Sequence, residues 1–399
     1  MESIFFTFCL LLGLAVTFLV SKYTIRKLIP LSGHGRFVEI DGLRGYLALM
    51  VASHHFYIFF GWALNGNWKA PEFTVFNNLG VFAVSVFFMI TGFLFIGKID
   101  RARLDGCLDF FGLMKSRVFR ICPLYIFAVF ITISLSFHAT LYQLEDVHSI
   151  AKDIFKWIVF LGDSVNGYQD SKRITAGVTW TLRYEWLFYF SLIGIYFISK
   201  TKYGLATFGV LVAMFSLTQM DFLFFNSLYL IFFVLGGLSY FINKKYTTKF
   251  SSTLFKGKFF SMLLLFSMLL ALITPEKDYL LLFSISSFVF FVIIVMGGDC
   301  FGLLCLKTSR ILGEISYSIY LMHGVIFFLL FKIIWPEFIS NGFYKYSLLL
   351  PACLLCVVFF STFTFLSIEL PFVKIGKGKF KFNKMLKPTG KKLDSDTSR

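Results

Sequence analysis

The stretch that decides the fold reads Glu39-Ile-Asp41-Gly-Leu-Arg44-Gly-Tyr-Leu-Ala-Leu-Met-Val-Ala-Ser-His54-His55-Phe-Tyr-Ile-Phe-Phe60. Beyond Arg44 it is an apolar helix candidate with two histidines in its middle. On insertion scales an arginine within a membrane span costs roughly 2.5–3.5 kcal/mol, so such residues tend to mark function. At about 100° per residue, Arg44 and His55 fall within about 20° of each other, on one face and ~16 Å apart along the axis. His54 lies about 80° off that line. Asp41 stands three residues before Arg44 and can pair with it if the helix extends back through Gly42. Any one of these residues could be a snorkelling arginine or a packed histidine; the set on one face argues for chemistry.

Working outward, the 399 residues are 57% hydrophobic and only 15% charged, with mean hydropathy +0.77. Soluble domains carry about a quarter charged residues. Several apolar runs reach the ~20 residues that cross a bilayer, so the chain reads as a polytopic membrane protein. The net charge of +16 raises nucleic acid as a partner. The basic residues instead cluster between apolar runs and in the tail, as topology determinants do, and nucleic acid is set aside.

Candidate spans fall at about 4–20, 43–63, 73–97, 120–140, 178–199, 203–219, 222–242, 259–274, 279–297, 311–334 and 347–369. With the N-terminus outside and the C-terminus in the cytoplasm, 28 of the 38 Lys and Arg lie in cytoplasmic segments and 7 outside. That bias supports an all-α protein with a bundle of ten core transmembrane helices plus one extra N-terminal span, in the cytoplasmic (inner) membrane. The first run lacks the preceding positive charge and small-residue cleavage site of a signal peptide, and is read as uncleaved. Residues 1–38 then form the extra span and a basic loop, and 39–373 the main membrane domain. Residues 374–399 form a Lys-rich tail, expected to be disordered and drawn to anionic lipid. The outer segment at about 141–177 holds an amphipathic stretch, Ile150–Leu161, suited to an interfacial helix and loop over the outer mouth. Cys353-x-x-Cys356 lies in an apolar run with no second pair, so neither a disulfide nor a metal is expected.

Three further stretches can carry chemistry. Arg117 and Arg120, one turn apart at the cytoplasmic edge, could grip phosphates or serve only as topology signals. In Trp180-Thr-Leu-Arg183-Tyr-Glu185-Trp-Leu-Phe-Tyr189, the residues Thr181, Glu185 and Tyr189 follow four-residue spacing and line one stripe. A glutamate there must pair, protonate or face water, and it could equally lock helices together. In Leu312-Gly-Glu314-Ile-Ser-Tyr-Ser-Ile-Tyr320-Leu-Met-His323, small and hydroxyl residues suit close helix packing, and His323 lies about 16 Å along the helix from Leu312. It reads as a packing histidine or as part of a site. No Walker loop, dinucleotide fingerprint, His-Glu-x-x-His or Gly-x-Ser-x-Gly is present.

Taken together, these motifs resemble the acyltransferase 3 family of integral membrane acyltransferases. The resemblance rests on five blocks in the family's order. They are Ile40-Asp-Gly-Leu-Arg-Gly with His55; Phe87-Phe-Met-Ile-Thr-Gly92-Phe-Leu; Arg117-x-x-Arg120-x-x-Pro123; Trp180-x-Leu-x-x-Glu185-x-x-x-Tyr189; and Leu312-Gly-x-Ile-Ser-Tyr-Ser-Ile-Tyr-Leu-x-His323. Glu369-Leu-Pro371-Phe matches the family's closing span. Arg183, where relatives usually carry a small residue, and Cys122, where an aromatic is common, depart from the pattern.

The resemblance implies transfer of an acyl group, most often acetyl, from cytoplasmic acyl-CoA to a sugar hydroxyl. The acceptor would be a surface polysaccharide, lipopolysaccharide among them, or a lipid-linked precursor. Acetyl-CoA would be a co-substrate, with no tightly bound cofactor. It implies that Arg117, Arg120 and Arg44 hold the coenzyme, and that His55, Arg44 and Glu185 form the catalytic set. Trp180, Tyr189, His323 and Asp41 would contact substrate, and membrane lipid would surround the whole. The competing reading is a proton-coupled transporter or flippase using Arg44, His55 and Glu185 as its pathway. The Arg117-x-x-Arg120 pair separates the two, because a coenzyme site needs it and a proton relay does not.

Overall fold

The computed structural model describes residues 1–29, 37–222, 225–247 and 252–378. Part of the first basic loop and most of the Lys-rich tail therefore lie outside the described residues. The described chain is helical almost throughout. Strand pairing among these residues is confined to a two-residue ladder, Asp221–Phe222 with Phe225–Asn226, and one isolated bridge between Val165 and Tyr168.

The longer α-helices are α1 Glu2–Tyr23, α2 Val38–Asn65, α3 Thr74–Asp105, α4 Phe110–Ala139, α5 Val147–Ile158, α6 Trp180–Ser199, α7 Gly204–Leu217, α8 Leu230–Tyr246, α9 Lys258–Ile273, α10 Leu280–Val295, α11 Lys307–Glu314, α12 Ser316–Phe328 and α13 Leu350–Thr364. The apolar runs expected to span are helical over most of their described length, but the run expected at 222–242 becomes α-helix only at Leu230, after the short ladder and a 3-10 turn at Ser227–Tyr229. Among the described residues, seven helical segments can cross a membrane by length and composition; α7, α9 and α10 are shorter apolar helices. Helix α6 carries Arg183 and Glu185 along its 20 residues. Many large apolar side chains on the outward faces, such as Phe130, Phe190, Met262 and Phe363, are exposed. Such a surface suits lipid, where burial gains nothing from water release between helices.

Two boundaries differ from expectation, and the difference matters for the site. Helix α4 starts at Phe110, ten residues before the expected span. Asp109 caps it by accepting from the Gly112 amide at 2.8 Å, so the segment read as a loop edge is already helix. Arg117 and Arg120 thus ride on a rigid element. The last span widens into a π-helical stretch, Phe365–Glu369, directly before Leu370–Gly376. Pro371 has no amide hydrogen to continue the ladder, and the chain relaxes the preceding turn. Lys332 lies in a similar stretch, Leu329–Ile334, that prolongs α12.

Helices α2, α3, α8 and α12 pack along one central seam. The glycines of the opening motif explain how α2 and α11 approach. A Cβ on Gly313 would lie 1.6 Å from the Asp41 carbonyl oxygen, and one on Gly42 would lie 1.9 Å from that of Leu304. Backbone meets backbone there, and no larger residue fits. The segment at 141–177 is held as firmly. Trp157 is fully buried. Asn166 donates to Thr140 and to the Gln143 carbonyl at 2.8 Å each, and accepts from the Glu145 amide at 2.9 Å. A Cβ on Gly324 of α12 would fall 2.4 Å from the Ala176 amide nitrogen. The loop is seated in the bundle.

Candidate active site

A cavity of about 700 Å³ opens among α2, α3, α4, α6, α8 and α12, at the end of the bundle where the Lys- and Arg-rich connections emerge. Its wall includes Leu104 and Val84, twenty residues apart on α3, so it reaches about 30 Å into the bundle.

At its mouth Arg101, Asp100 and Lys244 line the wall. Asp100 is buried and engaged by Lys244, by the Tyr240 hydroxyl at 2.9 Å and by Arg103 at 3.6 Å. Lys98, Arg101, Arg117 and Arg120 stand within one another's field, and none has a carboxylate in ion-pair contact among the described residues. That leaves a surplus of positive charge beside a low-dielectric wall, which attracts anions strongly. Lys98 and Arg117 both lie against the Phe95 ring, 4.7 and 5.3 Å from its centre.

Midway, the stripe of α6 faces in. Thr181, Glu185 and Tyr189 all line the cavity. The Tyr189 hydroxyl donates to Glu185 Oε2 at 2.7 Å and is itself bonded to Arg117, while the Arg117 Nε has no partner. Asp41 and Arg44 line the opposite side. They are electrostatic neighbours without ion-pair contact, and Arg44 also feels Arg120 and Glu369. Glu369 is buried, accepts from the Ser318 hydroxyl at 2.9 Å and counterbalances Arg120.

At the deep end the Thr181 and Tyr320 hydroxyls meet at 2.8 Å. Tyr320 is one turn from His323, with ring centres 6.3 Å apart. Here α2 and α12 bring together two histidines 268 residues apart in the chain. His323 Nε2 lies 3.2 Å from His55 Nδ1. His323 Nδ1 faces the Ile319 carbonyl at 3.1 Å, and His55 Nδ1 faces that of Val51 at 3.0 Å. A carbonyl only accepts, so in the neutral rings both protons sit on Nδ1. His323 Nε2 is then a bare lone pair that shares the one His55 Nδ1 proton with the Val51 carbonyl, and His55 Nε2 is left unprotonated, as a general base requires. Neither histidine lines the cavity itself. Its deep wall at Val84 is one turn of α3 from Gly80, whose Cα is packed on the His54 ring. His54 Nδ1 is taken by the Phe76 carbonyl at 2.9 Å.

Of the residues singled out in the sequence, Asp41, Arg44, Arg117, Arg120, Glu185 and Tyr189 share the cavity, and His55 and His323 pair just beyond it. Trp180 stands elsewhere, in an aromatic cluster with Tyr229 and Tyr184 at 4.9 and 5.5 Å. Arg183 also lies outside the lining, in the field of Tyr125 and Asp163. Lys98, Arg101, Tyr320 and Glu369 were missed as site residues. A carboxylate near the end of an apolar span was the available signal for Glu369, as it was for Glu185. Among the described residues no three His, Cys, Asp or Glu gather as a metal site.

A protein-family model described as an acyltransferase domain, that of acyltransferase 3, matches residues 37–366. No curated protein and no solved structure matches.

Proposed function

The chain belongs to the acyltransferase 3 family, and on that footing we propose that it is a membrane O-acyltransferase with an acyl-CoA donor and a sugar hydroxyl as acceptor. Acetyl is the acyl group, and the acceptor is a surface polysaccharide or its lipid-linked precursor. The observation that carries this reading is the polarity of the cavity. One end has unpaired cations, and the other stops beside a paired histidine whose outer nitrogen is free.

The roles follow from that arrangement. Arg117 and Arg120, with Lys98 and Arg101 beside them, hold the phosphates of the donor; Arg forks suit bidentate phosphate binding. The pantetheine arm bridges the ~16 Å from Arg44 to His55 along α2. Tyr189 and Glu185 fix the Arg117 guanidinium, which otherwise has rotamer freedom to lose on binding. His55 Nε2 takes the proton of the acceptor hydroxyl as its oxygen attacks the thioester carbonyl. The tetrahedral adduct then collapses, the C–S bond breaks, and the imidazolium returns the proton to the departing thiolate. His323 holds the tautomer and stabilises the charge that His55 gains.

The test uses purified protein in nanodiscs with acetyl-CoA labelled in the acetyl group, following thiol release and the fate of the label for wild type and His55→Ala. Turnover that requires His55 is the expected result. A well-folded His55→Ala that turns over like wild type would remove the base from this scheme.

A further inference from the structure

On the far side of the histidine pair, away from the cavity, a second cluster has no role in the reading above. Trp68, in the connection between α2 and α3, lies against His55, with ring centres 6.3 Å apart and planes 29° from parallel. Its other neighbours are Trp62 at 5.4 Å and Phe59 at 5.4 Å. Trp62 is fully buried, and two cations cover its ring: Lys332 Nζ at 4.5 Å from the centre and Arg173 Cζ at 5.8 Å. An unbroken run of contacts thus leads from His55 through Trp68 and Trp62 to two positive charges.

The charges are not balanced. Asp170 is engaged by Arg173, and Lys332 has no carboxylate in ion-pair contact among the described residues, only the more distant field of Asp170 and Arg173. Lys172, the next cation, is occupied by Asp163 at 3.3 Å. Two cations on one indole repel each other, and one nearby carboxylate offsets only one of them. The location is also unusual for this chain, since the segments assigned to this side hold 7 of its 38 Lys and Arg. Topology does not call for cations there.

We propose that Trp68, Lys332 and Arg173 form the acceptor site and select an acidic acceptor, a sugar bearing a carboxylate or phosphate near the hydroxyl that is acylated. The proposal rests on the acyltransferase reading for its direction, from cavity to far side. The apolar face of a sugar ring lies on the half-buried Trp68 indole. The acidic substituent reaches the Lys332 ammonium and the Arg173 fork. The hydroxyl is thereby presented towards His55. Charge-assisted hydrogen bonds of this kind discriminate strongly against a neutral analogue, which leaves Lys332 without an anionic partner.

The experiment measures binding without any acyl transfer. The full chain in nanodiscs of zwitterionic lipid is titrated with a uronic-acid disaccharide, a phosphorylated disaccharide and the neutral disaccharide of the same linkage. We expect an acidic sugar to bind about tenfold tighter than the neutral one or better. Lys332→Gln and Arg173→Gln each remove that preference, and Trp68→Ala weakens all three sugars. Binding of a non-reactive coenzyme A analogue, at the opposite end of the bundle, reports that each variant is folded. Equal affinity for the three sugars in wild type overturns the proposal, as does a preference that survives the Lys332→Gln/Arg173→Gln double variant. So does loss of acidic-sugar binding when anionic lipid replaces zwitterionic lipid, which assigns the cations to a headgroup. If an acidic sugar binds as described but never receives label from acetyl-CoA, the acceptor site stands and the transfer reading fails.

Discussion

His323 Nε2 lies 3.2 Å from His55 Nδ1, and together with the Val51 carbonyl on the same nitrogen it holds the His55 proton there and leaves Nε2 free to act. His323 is a positioning residue in this scheme, so the shape of its replacement matters. His323→Gln keeps an acceptor at the end of a side chain of similar reach; His323→Leu does not. We expect His323→Leu to lose about tenfold to a hundredfold in kcat, the equivalent of ~1.5–3 kcal/mol. His323→Gln should recover most of it, with donor KM unchanged in both. Equal losses in the two variants would reduce His323 to a packing residue.

Arg117 and Arg120 are one turn apart, yet their removal should read differently. Arg117 is tied to Tyr189, outside any ion pair, so Arg117→Ala should raise donor KM about tenfold or more with little change in stability. Arg120 also counterbalances buried Glu369. Arg120→Ala removes one of the two positive charges that offset that carboxylate, and weakening the compensation of a buried charge costs about 1–3 kcal/mol. Adding Glu369→Gln should restore the melting temperature without restoring donor affinity. If Arg120→Ala melts like wild type, the coupling between the two is negligible.

The α2–α11 seam makes a stability prediction with an internal control. Gly313→Ala sets a methyl group 1.6 Å from the Asp41 carbonyl oxygen and forces two backbones apart. A loss of about 1–3 kcal/mol or more is expected, with donor binding impaired because Arg44 rides on the same turn. Gly194→Ala on α6 meets nothing within 4 Å and should be neutral or stabilising by up to ~1 kcal/mol through helix propensity. Thermal melts of both in one detergent settle the contrast.

Thiol labelling checks the handedness of the membrane insertion. Cys107 is exposed beside the Gly106 turn. Cys305, outside the spans, has its thiol pushed up to about 11 by burial and by Glu39, whose carboxylate it contacts at 3.7 Å. A raised thiol pKa means thiol, not thiolate, at neutral pH, and the thiolate is what reacts. An impermeant maleimide should label Cys107 at pH 7 from the cytoplasmic side only. Labelling of Cys305 should be slow there and quicken about tenfold per pH unit up to its pKa. Rapid labelling of Cys107 from outside would invert the topology.

Much of the site was legible because helix periodicity is a local rule. Arg44 and Asp41 on α2, and Thr181, Glu185 and Tyr189 on α6, share faces that residue spacing alone predicts. The pairing of His55 with His323 was not legible, since it depends on how α2 and α12 cross 268 residues apart. Trp180 begins the same helix as the stripe but points into an aromatic cluster, and its spacing gave no hint of that. The start of α4 was misjudged because Asp109, a helix cap, reads in a sequence as one more loop acid. Lys332 falls inside the run expected to span at 311–334, and only the widened turn at Leu329–Ile334 places it over Trp62.

The segment at 141–177 is fastened by Asn166 and wedged against Gly324. In the proposed reaction, an acceptor that arrives there meets a rigid porch instead of a door that must swing. Its binding therefore bears no cost for closing a lid, and the pace of turnover passes to arrival, chemistry and departure.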